Sequence, residues 1–332
     1  MSVSMIPPAA APDFLVRAGW PFAQVLPLAG DASFRRYFRV VQDRKTAVLM
    51  DAPPPQEDPR PFIAVAEWLV GQGFSAPHIL AADLDLGLVL IEDFGGERMR
   101  EALDADPSLE RPLYRDVVEL LADLATRPAM AIAPYSLVDY NRELGLFIDW
   151  YCPAVGLKPD PAGYLQLWDA LLQPIIAAQA KPVTVLRDYH AENIMLLEGR
   201  QGRDRLGLLD FQDALAGHAA YDLVSMLQDA RRTVSPEVER EMLDHYLGLG
   251  NLGDEFETAY HILGVQRNLK ILGIFTRLWK RDGKPRYRAF QSRVWAYIER
   301  SLKQPALEPA RVWMNANIPM EKRASAWAEF AE

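Results

Sequence analysis

The chain has 332 residues, enough for two lobes and a sizeable core, and half of them are hydrophobic, which excludes a disordered protein. Lysine and arginine number 36 against 45 aspartates and glutamates, and the resulting net charge of -9 argues against nucleic acid or an anionic membrane surface as the main partner. The single cysteine, Cys152, excludes an internal disulfide and a cysteine metal cage; no apolar run approaches the length of a membrane span, so a cytoplasmic location is the expectation.

An amphipathic pattern from residue 13 stops at Gly19 and Pro21, and an extended stretch follows to about residue 28. From Ser33 to Val41, the set Phe34, Arg36, Phe38 and Val40 alternates with Arg35, Tyr37, Arg39 and Val41, the period of a strand with two faces. Gln42-Asp43-Arg44-Lys45 reads as a hairpin turn and Thr46 to Met50 as the returning strand. Prolines 53, 54, 55, 59 and 61 make the next stretch too rigid and too poor in N–H donors for regular structure. Helical periodicity over 62–71 precedes two further strands, 77–82 and 86–94. Beyond Gly95-Gly96 the pattern is helical over 98–127, over 140–180, and nearly throughout after Asp222. The expectation is a bilobal α+β protein with a small β-rich N-lobe over 1–95 and a larger helical C-lobe over 96–332.

Within the second part, Asp188 and Asn193 lie in one polar loop flanked by Val183, Val185 and Leu186 on one side and Ile194 to Leu197 on the other. Asp210 follows the apolar residues Leu206, Leu208 and Leu209. Phosphoryl transfer from Mg-ATP needs such a set: one carboxylate to orient or deprotonate a hydroxyl, and an amide oxygen and a second carboxylate for the metal. Either piece alone also suits a turn, where Asx side chains bond their own backbone; their joint order and spacing point to a kinase-like core.

Asp188, His190 and Asn193 match the pattern His-Gly-Asp-x-His-x-x-Asn, and Asp210-Phe211, Gly217 and Asp222 match an Ile-Asp-[Phe/Trp] segment with its following Gly and Asp. On these residues the chain resembles the aminoglycoside phosphotransferase and choline kinase-like branch of the protein-kinase fold. Gly30 to Tyr37, Met50 to Pro54, Asp210 to Ala214 and Leu269 to Phe275 further resemble the bacterial N-acetylmuramate/N-acetylglucosamine 1-kinases, the anomeric sugar kinases of cell-wall recycling. The likeness runs over about residues 25–290. Leu186 and Arg187 stand where the pattern has His and Gly, and Met50 stands where a phosphate-binding Lys is usual.

The resemblance implies a protein kinase-like fold, ATP and Mg2+ as cofactors, and a small amino sugar as acceptor. Asp188 is then the catalytic carboxylate, with Asn193 and Asp210 on the metal. Gly30, Ala32, Ser33, Phe34, Arg35 and Arg36 would meet the phosphates, and one of Arg35, Arg36 or Arg39 would replace the missing lysine charge. Backbone groups of the segment holding Glu92 and Phe94 would bond adenine. His190, Gln212, Arg267 and Lys270 are candidates for the acceptor side, although His190 equally suits a structural role, and Arg267, Lys270, Arg277 and Arg281 also fit a solvated basic helix face. Two competing readings are a kinase of another small hydroxylated metabolite (aminoglycoside, choline or homoserine-like) and a nucleotide-binding regulator without turnover, the latter motivated by Met50.

Overall fold

The computed structural model describes residues 6–30, 34–178 and 181–323. In chain order, α1 (Ala11–Arg17) leads into β1 (Gln24–Gly30), β2 (Arg36–Gln42) and β3 (Lys45–Asp51), then α2 (Arg60–Gly71), β4 (Ile79–Asp83), β5 (Leu88–Glu92) and α3 (Met99–Ala105). Next come α4 (Glu110–Thr126) and α5 (Leu137–Leu146), which runs through a π-helical turn, Phe147–Tyr151, into α6 (Cys152–Ala154), and then α7 (Pro161–Ala177). Four short strands follow: β6 (Val183–Val185), β7 (Ile194–Leu196), β8 (Leu206–Leu208) and β9 (Leu215–Gly217). The remainder is helical: α8 (Ala220–Leu227), α9 (Pro236–Gly250), α10 (Asp254–Lys280), α11 (Gln291–Ser301) and α12 (Glu308–Asn317). The expected α+β class holds.

These elements form two compact units, Met1–Asp106 with Glu192–Ala214, and Pro107–Ala191 with Leu215–Glu332. The first contains an antiparallel sheet in the order β1-β2-β3-β5-β4. Direct register partners share a face, so Phe38, Leu49 and Leu90 stand together, as do Tyr37, Met50 and Val89. The face bearing Phe38, Val40, Ala47, Leu49, Leu88 and Leu90 packs on Ala11, Phe14 and Leu15 of α1 to make one core. The β7–β8 hairpin belongs to this same unit, tied in by the Leu208 N–H to the Ser75 carbonyl at 2.8 Å and the Leu196 N–H to the Glu97 carbonyl at 2.8 Å.

The second unit centres on α10, whose buried residues run almost all round the helix from Ala259 to Thr276. That pattern marks a core helix rather than an amphipathic surface one. Gly273 lets it approach α5 closely: a Cβ there would overlap the backbone of Leu146. β6 and β9 pair antiparallel in the same unit.

Three element boundaries differ from the sequence expectation. The helical stretch 98–127 breaks at Asp106, which is extended (φ -136, ψ 94) because Pro107 excludes a helical residue before it. The stretch 140–180 breaks between α6 and α7, where Gly156 has φ +78 and Pro159 and Pro161 follow. β1 is a full strand of the sheet, carrying Pro27 beside a bulge between Pro27 and Ala29, the place where an edge strand tolerates proline.

Candidate active site

In the first unit the β7–β8 hairpin brings Asn193 and Asp210 together, because they flank its two ends. Ile194 pairs with Leu208, and the Leu209 N–H donates to the Asn193 carbonyl at 3.0 Å. Asn193 Nδ2 lies 3.3 Å from Asp210 Oδ2, and Gln212 Nε2 donates to Asp210 Oδ1 at 2.8 Å. Arg100 of α3 binds Glu192, anchoring the turn just before Asn193. Asp210 has φ +59, a left-handed conformation that Asp and Asn enter more readily than most side chains. The Gln212 Oε1 atom is buried without a hydrogen-bond partner. A carboxylate, an adjacent amide and this orphaned oxygen form a hard oxygen-donor set that fits Mg2+, which is commonly held by one or two carboxylates plus substrate phosphates rather than by an all-protein cage. Among the described residues, no group of three or more His, Cys, Asp and Glu is arranged as such a cage.

The expected nucleotide residues of this unit are spread over several elements. Gly30 ends β1 in register with Arg36; Ala32 and Ser33 lie outside the described residues. The Phe34 N–H and the Arg35 guanidinium both engage Glu57 of the proline-rich loop, at 3.1 and 3.6 Å. Arg36 pairs with Asp51 and lies over Phe38, on the α1-covered face, whereas Met50 points to the opposite face with Tyr37. Arg39, also on Met50's face, binds Asp93 at 2.8 Å and the Gly95 carbonyl at 2.7 Å. The Glu92 carboxylate accepts from Arg200 at 3.2 Å, and the Phe94 ring covers Gly207, where a Cβ would stand 2.7 Å from it. A cavity of about 430 Å³ in this unit is lined by residues including Val70, Phe74, Ser75, His78, Arg200 and Asp204, none of them an expected site residue.

Asp188 and His190 belong to the second unit, and the chain crosses to the first between Ala191 and Glu192. Asp222, at the first turn of α8, accepts the backbone N–H of Leu186 at 2.6 Å and of Arg187 at 2.8 Å, so one buried carboxylate fixes the two residues before Asp188. Burial pushes its carboxyl up to about 7, against those two bonds and the nearby Arg267. Arg231 approaches the His190 ring at 3.1 Å.

Arg267 and Lys270 are not a solvated stripe. Arg267 is buried and donates to Ser225 Oγ at 2.7 Å. Lys270 Nζ lies 2.8 Å from Glu143 Oε1 and 3.3 Å from the Tyr221 hydroxyl. Glu143 also takes Arg187, the Tyr135 hydroxyl at 2.5 Å and Gln266 at 3.2 Å. Burial alone would raise the Glu143 carboxyl, but Lys270 and Arg187 outweigh it and hold it below the usual range. Tyr140 and Tyr151, on either side of Glu143 in the chain, are fully buried.

The family model described as "Phosphotransferase enzyme family" matches residues 24–259. The chain belongs to this phosphotransferase family. A Caulobacter vibrioides protein named N-acetylmuramate/N-acetylglucosamine kinase is 36% identical, over 97% of this chain and 100% of its own length. A Pseudomonas aeruginosa protein of the same name is 36% identical over 89% of this chain and 90% of its own. The crystal structure of a choline/ethanolamine kinase family protein from Mesorhizobium loti superposes with a TM-score of 0.60 at 16% identity, covering 91% of this chain and 95% of that one, which shows the shared protein kinase-like fold. The phosphotransferase thus has the expected fold. The sequence reading did not find Ser225 and Tyr135. Its one available signal was Arg187 at a glycine position, since such a glycine marks backbone with positive φ.

Proposed function

We propose that this phosphotransferase moves the γ-phosphoryl group of ATP onto the anomeric hydroxyl of N-acetylmuramate or N-acetylglucosamine, in the cytoplasm. The single observation that carries the reading is the end-to-end likeness to a Caulobacter kinase named for both sugars. The Asp188, Asn193 and Asp210 set supports it, being the donor set that transfer from Mg-ATP requires.

In this reading Asp188 orients the sugar hydroxyl and accepts its proton as the oxygen–phosphorus bond forms and the bond to ADP breaks. An anomeric hydroxyl is more acidic than an ordinary alcohol, so positioning matters more than basicity. Asn193 and Asp210 would hold magnesium, which when bound neutralises charge on the phosphates. Gly30, Phe34 and Arg35 belong to the phosphate side, and the backbone near Glu92 and Phe94 to the adenine side. His190 and Gln212 remain candidates for contact with the acceptor, while Arg267 and Lys270, engaged with interior partners, act on it indirectly. The deciding experiment is ADP release from Mg-ATP across N-acetylmuramate, N-acetylglucosamine, choline, homoserine and kanamycin, with phosphorus NMR of the product. A sugar 1-phosphate is expected. Turnover confined to the other acceptors would overturn the substrate, and ATP binding without any turnover would favour a regulator.

A further inference from the structure

We propose that Arg187 is a positioning residue for Asp188, held in place by α10 through two separate bridges. The inference rests on the phosphotransfer reading, which gives Asp188 its role.

The backbone comes first. The Asp188 N–H donates to the Leu186 carbonyl at 2.9 Å, two residues back, and Arg187 at the centre has φ +72. That is the positive-φ form of the γ-turn, the rarer and more strained of the two. Glycine adopts it freely; another residue there costs on the order of 1–3 kcal/mol. An arginine kept at such a position has a side chain whose contacts outweigh the strain.

Its two ends bind Glu143 of α5 and Ser225 of α8, residues that α10 engages in turn. The guanidinium binds Glu143 Oε1, the oxygen that Lys270 also engages, and lies over the Tyr135 ring at 5.4 Å. Ser225 Oγ donates to the Arg187 carbonyl at 3.3 Å while receiving Arg267 at 2.7 Å. Residues 267 and 270 sit about one turn apart on α10, so this helix holds the side chain through Glu143 and the backbone through Ser225. Two cations share one buried carboxylate, leaving positive charge in the cluster. Asp188 is close enough to act electrostatically on both Arg187 and Lys270. The surplus charge and the pinned turn together fix where the Asp188 carboxylate points.

The test compares Arg187→Gly, Arg187→Lys and Ser225→Ala with the parent, on whichever acceptor the parent phosphorylates, reading kcat, acceptor KM and ATP affinity. Glycine relieves the strained backbone and leaves Glu143 with Lys270, Tyr135 and Gln266, so the variant keeps its fold. Its kcat should fall at least about tenfold, since a displacement near 1 Å in a reacting group costs up to roughly 100-fold. ATP affinity should not change, added guanidinium ion should restore part of the rate, and lysine should rank between glycine and arginine. A folded Arg187→Gly enzyme with kcat within about twofold of the parent overturns the proposal, as does a loss of ATP affinity equal to the loss of rate. If that variant does not fold, Ser225→Ala decides: it removes the backbone bridge, together with the acceptor of Arg267, and leaves the Glu143 bridge in place; a folded Ser225→Ala enzyme with kcat within about twofold of the parent again overturns the proposal. A parent that binds ATP but phosphorylates nothing overturns the phosphotransfer reading itself, whereas an active parent with an indifferent variant overturns this inference alone.

Discussion

The Asp222 carboxylate accepts the backbone N–H of Arg187 at 2.8 Å, across 35 positions of sequence, and thereby fastens a strained turn to the start of a buried helix. That bond holds the residue immediately before Asp188, and a second, from the Leu186 N–H at 2.6 Å, holds the one before it. The turn's geometry is therefore set by the helical unit behind it and not by the loop's own preferences.

Asp188→Asn keeps the size of the side chain and removes the proton acceptor. Turnover should fall by roughly 100- to 10,000-fold while ATP affinity survives. Equilibrium ATP binding and steady-state ADP release on the same preparation check this; loss of ATP binding would show that the role given to Asp188 is wrong.

Asp210→Asn should raise the Mg2+ concentration needed for half-maximal rate by about tenfold or more, because a neutral amide replaces the only carboxylate in the Asn193, Asp210, Gln212 group. Chelation of divalent ions should stop turnover in the parent. A variant with an unchanged Mg2+ titration would remove Asp210 from the metal.

Gly273→Ala sets two effects against each other. Alanine gains about 1 kcal/mol of helix propensity, but its Cβ would overlap the Leu146 backbone, which cannot rotate aside. Overpacking of this kind costs about 1–3 kcal/mol or more, so the net sign is destabilising. Denaturant unfolding of the two proteins measures it; a stabilised variant would mean that α5 and α10 part at little cost.

His218 accepts the Ala220 N–H at 3.2 Å through Nδ1, and burial lowers its pKa from 6.5 to about 4. Between those values the unfolded chain binds the proton and the folded one does not, so this contribution is full above pH 6.5 and is lost as pH falls toward 4. The slope is up to about 1.4 kcal/mol per pH unit. Asp222, raised to about 7, works in the opposite sense over the same range but is common to parent and His218→Gln, so it cancels in their difference. Unfolding free energies at pH 7, 6 and 5 should converge as pH falls; parallel curves would show that His218 titrates normally.

The expected site motifs were legible because their spacing is local. Asp188 and Asn193 lie in one loop, and Asn193 and Asp210 close one hairpin, so short-range chain geometry brings the latter pair together. Strand alternation in β2 likewise separated Arg36 from Tyr37 and Arg39 correctly. The basic spacing on α10 was legible as a pattern but not as an environment. Arg267 and Lys270 fall on one side of a helix in either case, and burial by α5 and α8 is what turns that side inward.

Sequence by itself determined the α+β class and the two-strand hairpin after Val41, because these rest on period and turn chemistry; motif resemblance pointed to the family and to Asp188, Asn193 and Asp210 as the expected site residues. Tertiary structure decided which face of the sheet each arginine occupies against α1, and it joined Glu143, Arg187 and Lys270 in one buried cluster across 127 positions. It also decided that Arg187 takes a glycine's backbone conformation. The physical reason is that a charge or a positive φ in the interior is tolerated only when partners distant in sequence compensate it, and such partners are found only once the chain has packed.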